Sequence, residues 1–192
     1  MGRPASEVVI IDVDRGAADR AAAAGFTALH GTATREEILE IAAASKAAAI
    51  IVSVDSDDTT ALIVLTAREL SKARILAKVI EPENIKLMRR SGADQIISLG
   101  ALGGSLLADG VNSDLTLAFV DDLVSRQGRV HLTQRKPLRD EVGRAPMSVA
   151  GLVMVRRAGG QPLSGDDLRD LRLDAADEML CISYTSGAAA AT

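Results

Sequence analysis

The sequence predicts an α/β protein: a parallel β-sheet with helices on both faces, then a helix pair, then a small α+β lobe. Three observations carry this reading. Short apolar runs alternate with helix-patterned segments from Val8 to Ser98. Those runs are continuous rather than alternating, as strands covered on both faces are. Aromatic residues are 2% of the chain against 47% hydrophobic, so the core must be built from Ala, Val, Ile and Leu.

The elements follow in order. "VVIIDVD" (8–14) is a strand ending in acids. "RGAADRAAAAG" is an Ala-rich helix stopped by Gly25. "FTALHG" is a short strand ending at Gly31. "TREEILEIAAAS" is a helix, with Thr34 as N-cap and Glu37 three residues on, the pattern of a capping box. "AAAIIVSV" is a strand, and "SDDTTALIVLTAREL" a helix capped by its acids. "ARILAKVI" is a strand, "PENIKLMRRSG" a helix with Pro82 at its first position, and "DQIIS" a strand. That makes five strands and four intervening helices. Two helical segments joined near Gly110–Asn112 come next. After Gly128 the strands "VHLTQ", "VAGLVMVRR" and "EMLCISY" are separated by Pro, Gly and charged stretches. The tail "TSGAAAAT" is low-complexity and expected to fray.

The totals exclude several functions. Net charge is −4, from 22 basic and 26 acidic residues among 192, so there is no basic excess to neutralise a nucleic acid. The lone Cys181 rules out an internal disulfide or a multi-cysteine metal site, and its apolar setting reads as packing. No apolar run approaches the roughly 18 residues that span a bilayer. No signal-peptide pattern opens the chain. These features predict a cytosolic chain, or the cytosolic part of something larger, without membrane insertion.

"VVIIDVD", "HGTATREEIL", "SVDSDDTTALIVLTARELSKARILAKV" and "EPENIKLMRRSGADQIIS" resemble, in order and spacing, the RCK (regulator of potassium conductance) or TrkA-N domains. "GLVMVRRAGGQPLSGDDLRDLRLDAADEMLCIS" looks like the TrkA-C lobe that follows them. The resemblance covers about residues 7–184, and "RRSGADQIIS" is its most specific part. It implies a Rossmann-like lobe over 1–99, a crossover helix pair over 100–127, a TrkA-C-like lobe over 128–185 and a disordered tail over 186–192. It implies no chemistry. Such domains line the cytosolic side of potassium channels and transporters, at the inner face of the membrane. They assemble as dimers and then rings of four or eight domains, whose shape ATP, ADP, NAD(H) or divalent cations change.

The resemblance also nominates residues. Asp12 ends its strand where a Rossmann acid accepts hydrogen bonds from ribose hydroxyls; Asp14 is either a second ligand contact or the cap of the next helix. Gly31 and Thr32 stand where many relatives have Gly-Asp, so one carboxylate is missing. Ser53 and Asp55 lie on a loop that flanks the nucleotide in relatives. Asp55, Asp57 and Asp58 are weak candidates for a divalent cation, against the reading that Asp57 or Asp58 caps the helix. Lys78 stands where relatives carry either an arginine near phosphate or a calcium-binding glutamate. It suits an anion, and with Ile80 at a second position that is acidic in calcium-gated relatives it argues against that calcium mechanism. Gly100 replaces an interfacial glutamate. For assembly, Leu102, Leu106, Leu115, Phe119 and Leu123 are the candidate interface. The run Leu117–Val120 is apolar all round a helix, so the helix is either sandwiched between its own lobes or crosses to a neighbouring subunit.

What the sequence lacks matters equally. In a Rossmann fold a central first strand carries the glycine-rich loop that cradles the pyrophosphate, and nothing before Val8 corresponds to it. Either the chain is a fragment, or another segment fills that slot, or the flanking strands pair directly. An adenine nucleotide or NAD(H) is therefore expected to bind the full-length protein, and this chain weakly or not at all. The leading function is a ligand-sensing domain controlling potassium flux; the alternative is an assembly module with a degenerate pocket. An oxidoreductase is disfavoured, because Tyr184, His30 and His131 have no partner pattern.

Overall fold

The computed structural model describes residues 4–125 and 127–185. The tail expected at 186–192 lies outside the described residues. The chain divides into two compact units after Ser105.

In the first unit, β1 (Val9–Asp12), α1 (Arg15–Ala23), β2 (Thr27–His30), α2 (Glu36–Ile41), β3 (Ala49–Val52), α3 (Asp57–Leu70), β4 (Arg74–Val79), α4 (Ile85–Ser91) and β5 (Gln95–Ser98) follow the predicted order. All pairings here are parallel, but they form two sheets. β1 pairs with β2, from Val9↔Thr27 to Asp12↔His30. β3, β4 and β5 form a second sheet in that order. Among the described residues no ladder joins β1 to β3, so the flanking strands do not pair directly. Ile11 and Ala33 nevertheless pack against the same core as the second sheet.

That core is built from Val52, Ile63, Val64, Ile75, Val79 and Met88 with their neighbours. Burying each side chain of this kind stabilises by about 1.5–3 kcal/mol. The strands do not have both faces covered, as their continuous apolar runs suggested. Ile75, Ala77 and Val79 of β4 are buried, while alternate residues are not. Ile51 is 75% exposed and Ile97 47%. Helices α3 and α4 cover one face of this sheet; the other presents Ile51, Leu76, Lys78 and Ile97, by the period-2 alternation of a strand.

Two helix starts differ from expectation. α2 begins at Glu36 without a side-chain cap; the Thr34 hydroxyl instead lies 2.8 Å from that of Thr32. For α3 the cap is Ser56, whose Oγ accepts from the Thr59 N–H, because Asp57 is committed elsewhere. Pro82 opens a short 3₁₀ turn that runs into α4. Gly92 ends α4 with φ +108°, a left-handed value suited to glycine.

Helix α5 (Leu99–Gly110) straddles the division between units, and α6 (Asp114–Val124) belongs to the second. Neither contains a buried residue. The second unit then forms an antiparallel sheet of order β6-β9-β7-β8, from β6 (Val130–Arg135), β7 (Leu152–Arg156), β8 (Pro162–Ser164) and β9 (Glu178–Tyr184). Val155, Leu168, Leu173, Met179 and Cys181 make its core, so Cys181 is packing. β8 escaped the sequence reading because it is three residues long and starts with proline, which suits only an edge. The Asp122 carboxylate accepts from the Arg129 and Val130 N–H groups, tying α6 to β6. Those bonds, the one from Arg129 first, hold its carboxyl below the usual carboxylate range.

Candidate ligand-binding site

The nominated residues stand at the carboxyl ends of the parallel strands, where ligands bind in open α/β sheets. They fall into two groups. The first is built on β1 and β2. Asp12 is half-buried at the end of β1, and its Oδ1 accepts from the Asp14 N–H at 2.8 Å. The Gly31 N–H donates to the Asp12 carbonyl at 2.9 Å and extends the ladder into the turn. Asp14 is the N-cap of α1: its Oδ1 accepts from Gly16 and Ala17 at 2.6 and 3.1 Å. Of the two readings for Asp14, the cap is the one the structure supplies. Thr32 Oγ1 accepts from the Thr34 N–H at 3.3 Å. His30 Nε2 donates to the Val13 carbonyl at 3.2 Å, which occupies that nitrogen.

The second group is built on β3, α3 and β4. Lys78 Nζ donates to Asp55 Oδ1 at 2.7 Å. That hydrogen bond and the adjacent positive charge hold the Asp55 carboxyl below its ordinary range. Ser53 is exposed at the end of β3. Asp57 is buried, and neither caps α3 nor faces outward. Its Oδ1 accepts from the Ile80 N–H at 2.8 Å, and its Oδ2 from the Glu81 N–H at 3.0 Å and Asn84 Nδ2 at 2.8 Å. Burial pushes its carboxyl up; the bonds from Asn84, Ile80 and Glu81 outweigh that and leave it lowered. Asp58 is exposed in the first turn of α3. Among the described residues no cluster of three or more His, Cys, Asp or Glu could hold a metal ion. The structure therefore does not gather Asp55, Asp57 and Asp58 into one site.

Among the described residues no hydrogen bond or ion pair joins the two groups. The first offers a half-buried carboxylate at Asp12 suited to hydroxyl donors, the second an ammonium suited to an anion. Sequence reasoning missed Asp57 and Asn84 as the pins of the β4–α4 loop. The available signal was an acid in the first turn of one helix and an Asn two residues after Pro82. It also missed Arg68, whose guanidinium donates to the carbonyls of Ser71, Ala73 and Gly92 and to Asp94. This explains why "SGAD" closes the motif: Gly92 leaves room for Arg68, and Asp94 receives it.

A family model for the TrkA-N domain matches residues 2–99, the lobe that carries both groups. The chain belongs to the TrkA-N domain family. Over 78 residues it is 38% identical to an uncharacterized protein of Methanothermus fervidus, a stretch that is 40% of this chain and 12% of that protein. Over 85 residues it is 35% identical to the probable potassium channel protein 2 of Methanocaldococcus jannaschii, covering 44% of this chain and 25% of that protein. The chain thus spans at most a quarter of these relatives' length. The TrkA-N domain of the inner membrane protein ybaL from Escherichia coli superposes with a TM-score of 0.50 at 22% identity, over 53% of this chain and 76% of that one. That likeness shows the α/β fold of the TrkA-N domain. Among the described residues no helix is long and apolar enough to cross a membrane.

Proposed function

We propose that this TrkA-N domain is a cytoplasmic, ligand-responsive regulatory module that controls potassium flux through a membrane pore. The supporting observations are the 35% identity to a probable potassium channel protein over 85 residues and the family match over residues 2–99, the range that holds Asp12, Asp55 and Lys78. The carboxyl-end site supports a binding role. The Asp12 carboxylate suits hydroxyl donors and the Lys78 ammonium an anion, the two chemistries of a nucleotide, so an adenine nucleotide or NAD(H) is the proposed ligand class. Binding without turnover is part of the reading: His30 Nε2 is taken by a carbonyl, and His131 Nε2 lies 3.0 Å from the Thr185 hydroxyl.

The same reading proposes a dimer, and higher rings built from it, through α5 and α6. Leu115 and Phe119 are 78% and 41% exposed, and Leu102 is 54% exposed, while Leu106 and Leu123 are half-buried. A second lobe of TrkA-C type, over 128–185, is proposed on the sequence resemblance. The competing reading, an assembly module with a degenerate pocket, draws on the split between the two residue groups: no phosphate-cradling loop lies between them among the described residues.

The two readings separate by calorimetry with ADP, AMP and NADH on the longest form of the protein that contains this chain, followed by chromatography of the ligand. The regulatory reading expects saturable binding and the ligand returned intact. Absence of binding by all three supports the assembly module, and consumption of the ligand contradicts both.

A further inference from the structure

The Asp55–Lys78 pair is lopsided. The Lys78 side chain is 19% exposed, whereas that of Asp55 is 98% exposed. Lys78 lies on β4, on the sheet face away from α3 and α4, with Ile97 beside it in register. Its ammonium lies 2.7 Å from Asp55 Oδ1. With most of its side chain out of solvent, Lys78 gains from an anion close by. A carboxylate that stands in water in either case loses little by leaving. Asp57 cannot take over, since its two oxygens already accept three hydrogen bonds from Ile80, Glu81 and Asn84. Asp55 is the one carboxylate joined to Lys78 among the described residues.

We propose that Asp55 is a displaceable counter-ion. It occupies Lys78 in the empty domain, and a phosphate-bearing ligand binds by taking its place on the lysine. The β3–α3 loop that carries Asp55 is short and exposed, and its far end is fixed by Ser56 capping α3. Release of Asp55 therefore changes the loop at the start of α3, a route by which ligand occupancy alters the helix. This deepens the ligand-sensing reading and rests on it. It also makes a specific statement about affinity: the protein's own carboxylate competes with the ligand, so removing it strengthens binding.

The test is calorimetric titration of inorganic pyrophosphate, without divalent cations, into the full chain and four variants, each checked for an intact melting transition. Asp55→Asn should bind about two- to fivefold more tightly than the unaltered chain, the range set by the worth of an exposed ion pair. Lys78→Gln should lose measurable binding, and the double variant should behave as Lys78→Gln. Glu83→Gln removes the same unit of negative charge from the loop after β4 without touching Lys78, and should bind as the unaltered chain does. If Asp55→Asn binds no better than the unaltered chain, or no better than Glu83→Gln, the displacement is wrong while the ligand site stands. If no form binds pyrophosphate at 10 mM, the displacement falls, while the ligand-sensing reading is decided by the nucleotide titrations of the longer protein.

Discussion

Arg68 of α3 reaches Asp94 at the start of β5 at 2.6 Å, across 26 residues of sequence. The same guanidinium donates to the Gly92, Ser71 and Ala73 carbonyls, and Asp94 Oδ2 also accepts from the Ile75 N–H at 2.7 Å. One side chain thus ties together the end of α3, the end of α4, and strands β4 and β5. The Ile75 hydrogen bond foremost, then Arg68, holds the Asp94 carboxyl below its ordinary range, against some burial.

Arg68→Met should therefore cost about 2–4 kcal/mol, from several charge-assisted bonds lost at once and carbonyls left without a donor. Urea denaturation measures it; a loss under about 0.5 kcal/mol would show that the network carries little stability. Gly92→Ala tests the same corner from the other side. The new Cβ would lie 2.9 Å from Arg68 Cγ on a backbone at φ +108°. A cost of about 1–3 kcal/mol is expected from the left-handed conformation and the crowding.

Much of this lobe was legible in the sequence, and the reasons are physical. Strands β1 to β5 showed as short continuous runs of Val, Ile and Ala set between longer segments of helical period. The helix starts were less legible. Thr34 with Glu37 matched a capping box, but the turn after β2 uses Thr34 to bond Thr32 instead. Acids after β3 suggested caps or metal ligands, yet Asp57 is recruited by loop N–H groups 23 and 24 residues away. Contacts at that separation leave no local pattern. Nor could the apolar run in β3 reveal that only one face is covered, because Ile50 and Ile51 are the same residue type in opposite environments.

Calcium at millimolar concentration should leave the melting temperature unchanged. Asp57 is saturated by the β4–α4 loop through Ile80, Glu81 and Asn84, and Asp55 is neutralised by Lys78. A cation binding only the folded form at 100 times its dissociation constant would add about 2.7 kcal/mol, a rise of several degrees. Such a rise would restore the three acids as a metal site.

In the second unit, Arg135 grips Glu141 through two bonds of 2.6 and 2.7 Å, and the Leu138 N–H adds a third. Arg135 first, then Leu138, draws the Glu141 carboxyl from 4.5 down to about 2. A depressed acid contributes stability that is fully present above its unfolded value and is lost as pH falls through its folded value. The stability difference between the unaltered chain and Glu141→Gln should therefore be constant above about pH 5 and shrink between about pH 4.5 and 2. Melting curves across that range check it; a difference that does not change with pH contradicts the assignment.

The unaltered chain should be a dimer by light scattering at tens of micromolar. In the proposed dimer Phe119, the aromatic on α6, is the interface anchor, and such anchors commonly carry about 2 kcal/mol or more. Phe119→Asp should leave the melting transition in place and give monomer. A monomeric unaltered chain contradicts the interface.

We propose that this TrkA-N domain regulates potassium flux in response to a ligand held at Asp12 and Lys78. Rubidium-86 uptake tests it most directly, in cells of the source organism carrying the gene unaltered, deleted, or with Lys78→Gln. The account expects deletion to change the uptake rate, and Lys78→Gln to make that rate unresponsive to the energy state of the cell. Identical uptake in all three would contradict it.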